Sequence, residues 1–201
     1  MTNYPIVVGI TGASGAIYSL RLLQVLLASG RDVHLSISPA GRDVIRQELA
    51  IDVDLDHFDT TRLRLRTADE IGTLHYNHWQ DFMAPMASGS FLTAGMVICP
   101  CSGASLSAVA TGAANNLIQR AAEVHLKEGR IVILVPRETP LSLVHIENMR
   151  RAAEAGAVIL PASPGFYHGA KSVDDLVDFV VARICDQLGV EHNLSNRWGG
   201  G

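Results

Sequence analysis

The chain has 201 residues, 48% of them hydrophobic, and a formal net charge of -4 at pH 7. This length favours one compact unit, and the scattered basic residues exclude the positive surface that follows a nucleic-acid backbone. No apolar run reaches the roughly 18 residues that a membrane-spanning helix needs, so we expect neither a nucleic-acid nor a membrane partner. The apolar composition instead predicts strands buried on both faces and contacts between copies of the chain in a homo-oligomer.

Short apolar runs alternate with amphipathic helical patterns along the chain. The runs predict buried strands at 5–10, 32–37, 94–99, 130–135 and 157–160, and the clearest helical patterns span 16–29 and 172–188. Repeated alternation of strand and helix implies right-handed crossovers, and therefore a three-layer, doubly wound parallel sheet. Residues 51–79 are expected to be an irregular excursion with one weak strand. Residues 189–201 are expected to be a tail that follows a single domain of residues 1–188.

The cysteines and the amino-terminal pattern predict a cytoplasmic protein. Cys99 and Cys101 are separated by one residue, which fits neither a disulfide framework nor the two-residue spacing of zinc knuckles, and the total of three is odd. We expect reduced, buried thiols. The first strand is not preceded by a basic segment and a signal-type apolar stretch.

A glycine-rich segment connects the first predicted strand to the first helix. Glycines at such a turn let the backbone approach an anion, and the free amides at the helix start attract negative charge. The spacing of Gly9, Gly12 and Gly15 does not match the dinucleotide fingerprint, and Ser38 follows the second strand where a nicotinamide dinucleotide needs a carboxylate. The segment therefore favours a mononucleotide, and a tight turn that serves only packing is the alternative.

Further polar residues follow other strands at the same predicted sheet edge. The loop at 99–105 is rich in small and hydroxyl residues, which suggests that it shares a ligand site with the glycine segment. The turn at 88–90 either supplies more donors or is a plain turn. Arg137 suits a phosphate because its guanidinium makes paired hydrogen bonds, and Glu138 beside it is suited to proton transfer. A surface ion pair between the two is the alternative.

Two patterns that resemble metal sites have simpler interpretations. Asp174, Asp175 and Asp178 match an Asp-Asp-x-x-Asp motif, but a capping box from Ser172 and the helix dipole account for acids in a first turn. The pair at 75 and 78 has no third ligand at a suitable spacing, so we expect solvated or hydrogen-bonded histidines.

Five motifs in order closely resemble the UbiX/Pad family of flavin prenyltransferases. They are TGASGAIY at 11–18, SGSF at 88–91, PCS at 100–102, RETP at 137–140 and FYH at 166–168. The resemblance implies a flavodoxin-like fold that binds reduced FMN and dimethylallyl monophosphate and joins the prenyl group to flavin N5 and C6. It also implies a metal-independent reaction, a dodecamer, and a product, prenylated FMN, that serves a UbiD-type decarboxylase, for instance in ubiquinone biosynthesis.

The same resemblance assigns roles to individual positions of this chain. The implied FMN contacts are Gly12, Ala13, Ser14, Ser38, Ser102, Gly103, Ala104, Ser105 and Arg137. The implied prenyl-phosphate contacts are Lys127, Arg137, Tyr167 and Arg183. The implied catalytic positions are Glu138 for proton transfer, Ser14 facing flavin N5, and Glu48 and Arg120 near the active site, with Glu48 expected from another subunit.

Two alternatives to a prenyltransferase remain at this point. The related flavin-dependent cysteine decarboxylases share the sheet, but their Pro-x-Met-Asn-x-x-Met segment is not reproduced, since Pro85 and Met86 lead into Ala87 and Ser88. A flavin carrier needs the mononucleotide site without the cationic cluster for the prenyl phosphate. Lys127 and Glu138 at matched positions argue against a carrier.

Overall fold

The computed structural model describes residues 4–65, 72–167 and 169–194. Its strands are β1 (Ile6–Ile10), β2 (Val33–Ile37), β3 (Leu74–Tyr76), β4 (Gly95–Cys101), β5 (Val132–Pro136) and β6 (Val158–Ile159). Its α-helices are α1 (Ala16–Ala28), α2 (Pro39–Leu49), α3 (Gly103–Thr111), α4 (Leu117–Lys127), α5 (Leu143–Glu154) and α6 (Val173–Leu188). The five predicted strands and two predicted helices are confirmed, and no end differs from its predicted position by more than two residues. His168 and most of the tail lie outside the described residues.

The described strands form one parallel sheet in the order β3-β2-β1-β4-β5-β6. The order reverses between β1 and β4, because the chain first adds β2 and β3 on one side and then returns to the other. Apart from the additional edge strand β3, this is the flavodoxin-like order. The predicted doubly wound fold is confirmed, and the weak strand expected within 51–79 is β3. The loops after β1 and β4 flank the point of reversal, where such sheets bind ligands.

The helices pack against both faces of the sheet through two hydrophobic cores, one on each face. Ile6, Val8 and Ile10 of β1 pack with α1, α2 and α6 on one face, while Val7 packs with α3, α4 and α5 on the other. Gly9 lets β1 and α4 pack closely, since a Cβ there would lie 2.5 Å from Cγ2 of Ile118. The first turn of α4 is therefore pressed against the end of β1, next to the point where the strand order reverses.

Observed contacts explain the motifs that resemble metal sites. Asp175 accepts a hydrogen bond from the Ser172 amide (3.0 Å) and completes the predicted capping box at the start of α6. Asp178 pairs with Arg21 of α1 at 2.6 Å.

The two histidines of the other motif also have partners. The ring of His75 stacks on the ring of His34, and Nε2 of His78 lies 3.4 Å from a carboxylate oxygen of Asp56. Within the described ranges, no three His, Cys, Asp or Glu residues are arranged to hold a metal ion.

The described residues also bear on the cysteines and on membrane insertion. All three cysteines are buried and free, as predicted. Burial raises the pKa of the Cys101 thiol to about 12, so this thiol stays protonated near neutral pH. Among the described helices, none has the length and apolarity needed to cross a bilayer.

Candidate active site

Thr11 connects the loops that follow β1 and β4. Its hydroxyl donates to the Pro100 carbonyl oxygen (2.7 Å) and accepts from the Ser102 amide (2.8 Å). The loop after β2 joins them because the Ser38 amide donates to the Ile10 carbonyl oxygen (3.0 Å). Three loops at the carboxyl edge of the sheet are thus held in one arrangement around the reversal in strand order.

Replacing Thr11 by valine is expected to destabilise the chain by about 1–3 kcal/mol, because the isosteric side chain leaves the Ser102 amide without its acceptor and removes one of the two hydrogen bonds to the Pro100 carbonyl oxygen. Chemical denaturation measures the change in the free energy of unfolding. Thr11→Ser retains the hydroxyl and is the matched control. Equal stability of Thr11→Val and Thr11→Ser would show that the bridge contributes little.

Serines at the starts of α2 and α3 orient the first helical turns. The Ser38 hydroxyl accepts from the Gly41 amide (3.0 Å), and the Ser102 hydroxyl accepts from the Ser105 amide (3.3 Å). The first amides of a helix have no acceptor within that helix, so those of Gly103 and Ala104 are suited to bind an anion or a carbonyl oxygen. The FMN contacts predicted at 102–105 lie at this helix start.

Glu48 occupies the start of α1. Its carboxylate accepts hydrogen bonds from the amides of Gly15 (3.0 Å) and Ala16 (2.8 Å) of its own chain. This contact forms within one chain because α2 packs beside α1, which brings the last turn of α2 next to the glycine loop. The anion position predicted at the first amides of α1 is filled by this carboxylate.

The surroundings of Glu48 favour its charged form. Burial alone raises the pKa of its carboxyl group, but hydrogen bonds from Ser14, Gly15 and Ala16 together with the charge of Arg137 outweigh this effect. The pKa therefore lies below its ordinary value. Glu48 is a fixed negative charge beside Ser14 at physiological pH.

Arg137 and Glu138 follow β5 at the same edge. Nε of Arg137 donates to the Ser14 carbonyl oxygen (3.1 Å), which places a cation next to the glycine loop rather than in an ion pair with Glu138. The exposed carboxylate of Glu138 accepts a hydrogen bond from the Thr139 amide (3.2 Å). Tyr18 lies near Arg137. Burial raises the pKa of its phenol, and the positive charge of Arg137 partly opposes this increase.

Tyr167 and Arg183 lie beside a cavity between β6 and α6. The cavity has a volume of about 260 Å³, and Leu160, Phe179 and Arg183 are among its lining residues. The Tyr167 ring packs edge-on against Phe179, with centroids 5.7 Å apart. Arg183 pairs with Asp186 at 2.8 Å. The two predicted phosphate contacts therefore share one region of the chain.

Lys127 is the last residue of α4 and lies on the side of the sheet where the parallel strands begin, opposite the carboxyl edge. Its Nζ pairs with Glu128 (2.6 Å) and lies next to Gly89. The Gly89 carbonyl oxygen accepts a hydrogen bond from Arg130, which comes just before β5. Arg137 follows the carboxyl end of β5. The two ends of this five-residue strand are roughly 17 Å apart at about 3.3 Å per residue. One copy of the chain therefore does not bring Lys127 and Arg137 together.

The remaining predicted positions also lie on or near α4. Arg120, in its first turn, pairs with Glu123 at 2.9 Å. The hydroxyls of Ser88 and Ser90 lie 2.9 Å apart in a turn near Lys127. Residues 88–90 form a turn in this chain, and whether they also donate to a ligand stays a prediction.

Comparison with known proteins agrees with this architecture. A family model described as Flavoprotein matches residues 1–185. The flavin prenyltransferase UbiX of Pseudomonas aeruginosa is 52% identical over 200 residues, covering 96% of this chain and 93% of the relative. The agreement in sequence thus extends over nearly the whole of both chains.

Solved structures give the same result. AnUbiX in complex with FMN and dimethylallyl pyrophosphate superposes with a TM-score of 0.86 at 36% identity, covering 98% of each chain. A dodecameric FMN-dependent UbiX-like decarboxylase from Escherichia coli O157:H7 gives 0.83 at 38% identity, covering 98% of this chain and 100% of that one. The cysteine decarboxylase TvaF, at 17% identity and 0.56, shares the fold alone. The chain therefore belongs to the UbiX family of flavin prenyltransferases.

Proposed function

We propose that the chain joins the dimethylallyl group of dimethylallyl monophosphate to N5 and C6 of reduced FMN and releases prenylated FMN. The observation that carries this proposal is the contact between Arg137 and the glycine loop, which brings a cation and the adjacent Glu138 to the edge where the strand order reverses. The 52% identity to a flavin prenyltransferase supports the same chemistry.

The carboxyl edge fits a flavin mononucleotide. Gly12 leaves the loop close to α2, since a Cβ there would lie 2.5 Å from Cβ of Ala40. Because Glu48 fills the start of α1, the flavin phosphate is better placed at the starts of α2 and α3. Gly12, Ala13, Ser14 and Ser38, together with the 102–105 loop, then line the flavin.

When bound, reduced FMN supplies the N5 and C6 positions to which the prenyl carbon atoms become joined. The chain's cations hold the phosphate and stabilise the negative charge that it gains as its bond to the allylic carbon breaks. The N5–H proton is released as the N5–carbon bond forms. Ring closure then adds a proton to one carbon of the prenyl double bond and joins the other carbon to C6, and Glu138 accepts the proton that C6 releases. Ser14 and Glu48 form a hydrogen-bonded pair that orients the N5 edge.

A complete prenyl-phosphate site requires more than one copy of the chain. Lys127 lies too far from Arg137 within one copy, so the Lys127 that meets Arg137 belongs to a neighbour. The dodecameric relative, 38% identical, supports such an assembly. We infer a dodecamer, which light scattering after size exclusion measures directly. A monomeric mass would contradict both the assembly and the shared site.

Other properties follow from this function. Cations replace the magnesium ion that often binds a leaving phosphate, so the reaction needs no metal. The flavin-binding domain is 1–188, supported by the end of α6 at Leu188, and 189–201 is a tail. Free buried cysteines support a cytoplasmic location. The product is passed to a UbiD-type decarboxylase.

The test of the proposed transfer is phosphate release under anaerobic conditions with a chelator present. We expect release from dimethylallyl monophosphate only when reduced FMN is added, since the flavin is the acceptor. Oxidised FMN is the control. Release without flavin would indicate a phosphatase, and release that disappears with the chelator would contradict metal independence. No release with FMN still bound would favour a flavin carrier.

A further inference from the structure

His145 faces the loop assigned above to flavin binding, although it comes from a different element. It lies in the first turn of α5, whereas Gly103 is the first residue of α3. A Cβ built on Gly103 would lie 2.8 Å from Nε2 and 3.2 Å from Cδ2 of His145. The imidazole edge therefore occupies the space directly above the start of α3.

The helix cap fixes the orientation and tautomer of this ring. Nδ1 of His145 lies 3.2 Å from the Ser142 amide and 2.9 Å from its hydroxyl, in a capping box. A backbone amide only donates, so Nδ1 is the acceptor, and the neutral ring carries its proton on Nε2. Glutamate, which commonly fills this position in a capping box, has no donor beyond the cap. Histidine caps α5 with one nitrogen and presents an N–H to α3 with the other.

The Nε2–H group of His145 lies at the start of α3, where other hydrogen-bond donors are free. The amides of Gly103 and Ala104 have no acceptor within α3, and Nε2 of His145 lies close to Gly103. Glycine at the first position of a helix has no propensity advantage over alanine, but any side chain there would displace the imidazole. The glycine and the histidine thus form one unit.

We propose that His145 is a flavin-binding residue whose Nε2–H donates to an acceptor oxygen of the flavin at the first turn of α3. This inference rests on the proposed function, because it takes the ligand at this edge to be a flavin. The acceptor is a phosphate oxygen or a carbonyl oxygen of the isoalloxazine ring. Both are hydrogen-bond acceptors that the same donor satisfies.

The test is the affinity of the purified, flavin-free oligomer for FMN and for riboflavin, measured by quenching of flavin fluorescence. His145→Glu keeps the capping box but removes the donor, and we expect FMN to bind about 10- to 100-fold more weakly. Val144→Glu, at an exposed neighbouring position, adds the same charge and keeps the imidazole. We expect its affinity for FMN to stay within about twofold of wild type, since exposed charges are screened.

The outcomes separate this inference from the proposed function. Failure of the wild-type protein to bind FMN would overturn the proposed function. Wild-type binding with unchanged affinity in His145→Glu, or an equal loss in Val144→Glu, would overturn the role of His145 alone. Weaker binding of FMN but not riboflavin places the contact at the phosphate, and weaker binding of both places it at the ring. Either pattern supports the contact.

A second measurement tests the pairing of Gly103 with His145. Gly103→Ala is expected to lower the melting temperature in the wild-type background, because its Cβ meets the capped imidazole. In a His145→Ala background the same change is expected to be neutral or stabilising, as alanine favours helix. An equal effect in both backgrounds would show that the imidazole does not occupy this space.

Discussion

Glu138→Gln is expected to bind FMN as tightly as wild type but to transfer the prenyl group about 10²–10⁴-fold more slowly, the loss typical for removal of a general base. The amide has the same shape as the carboxylate but does not accept a proton from flavin C6. Glu138 is exposed at the carboxyl edge of the sheet and its carboxylate accepts a hydrogen bond from the amide of the next residue, so the substitution leaves the fold intact. Anaerobic single-turnover reactions separate flavin binding from the chemical step.

The control for Glu138→Gln is Glu154→Gln. Glu154 ends α5 on the surface, where it pairs with Arg150, and it lies outside the proposed site. It should retain the wild-type rate. A wild-type rate in Glu138→Gln would remove Glu138 from the mechanism, and weaker FMN binding with an unchanged rate would make it a binding residue.

Lys127→Ala and Arg137→Ala are each expected to slow transfer by about 10²–10³-fold, the usual cost of removing a group that stabilises developing charge. Oligomers that contain both variants should recover activity, because Lys127 and Arg137 of one site come from different copies. With random assembly at equal amounts, about a quarter of the sites then combine an intact Lys127 with an intact Arg137, given a head-to-tail interface. Co-expression with two affinity tags isolates the mixed oligomers.

The double variant Lys127→Ala/Arg137→Ala, co-expressed with wild type, is the control for mixing. It should also leave about a quarter of the sites intact under the same assembly rule. Mixed oligomers of the two single variants that stay inactive, while this control is active, would place both residues in the same copy. Wild-type activity in Lys127→Ala alone would remove Lys127 from the site.

The fold follows from local features of the sequence. Strands β1, β2, β4 and β5 are buried along nearly their whole length, so each appears as an apolar run. β3 is harder to predict because it has three partly exposed residues at the edge of the sheet. The point where the strand order reverses also follows from the alternation of strand and helix, and it locates the ligand edge.

The details of the site depend on contacts between elements that are distant in sequence. Glu48 is 33 residues from Gly15, and only the position of α2 beside α1 reveals that its carboxylate fills a helix start. His145 resembles an ordinary capping residue until α5 is placed next to α3. The sequence does show a hydroxyl residue, Thr11, directly after a buried strand. Its two hydrogen-bond partners, however, lie at the end of β4 and in the loop that follows.

The distribution of the cations was equally hidden. The family resemblance assigns Lys127, Arg137, Tyr167 and Arg183 to one phosphate, but the sequence does not indicate how many copies supply them. The direction of α4 places Lys127 at the edge opposite Arg137, so assembly rather than folding completes the proposed site. Sequence patterns describe one chain and carry no direct record of its neighbours.

The mass of the flavin after reaction tests the central claim most directly. The protein is incubated without oxygen or added metal with reduced FMN and dimethylallyl monophosphate, and the flavin is extracted for mass spectrometry. A gain of one five-carbon prenyl unit, absent from reactions without protein, is the predicted result. Unmodified FMN together with intact dimethylallyl monophosphate would contradict prenyl transfer by this chain.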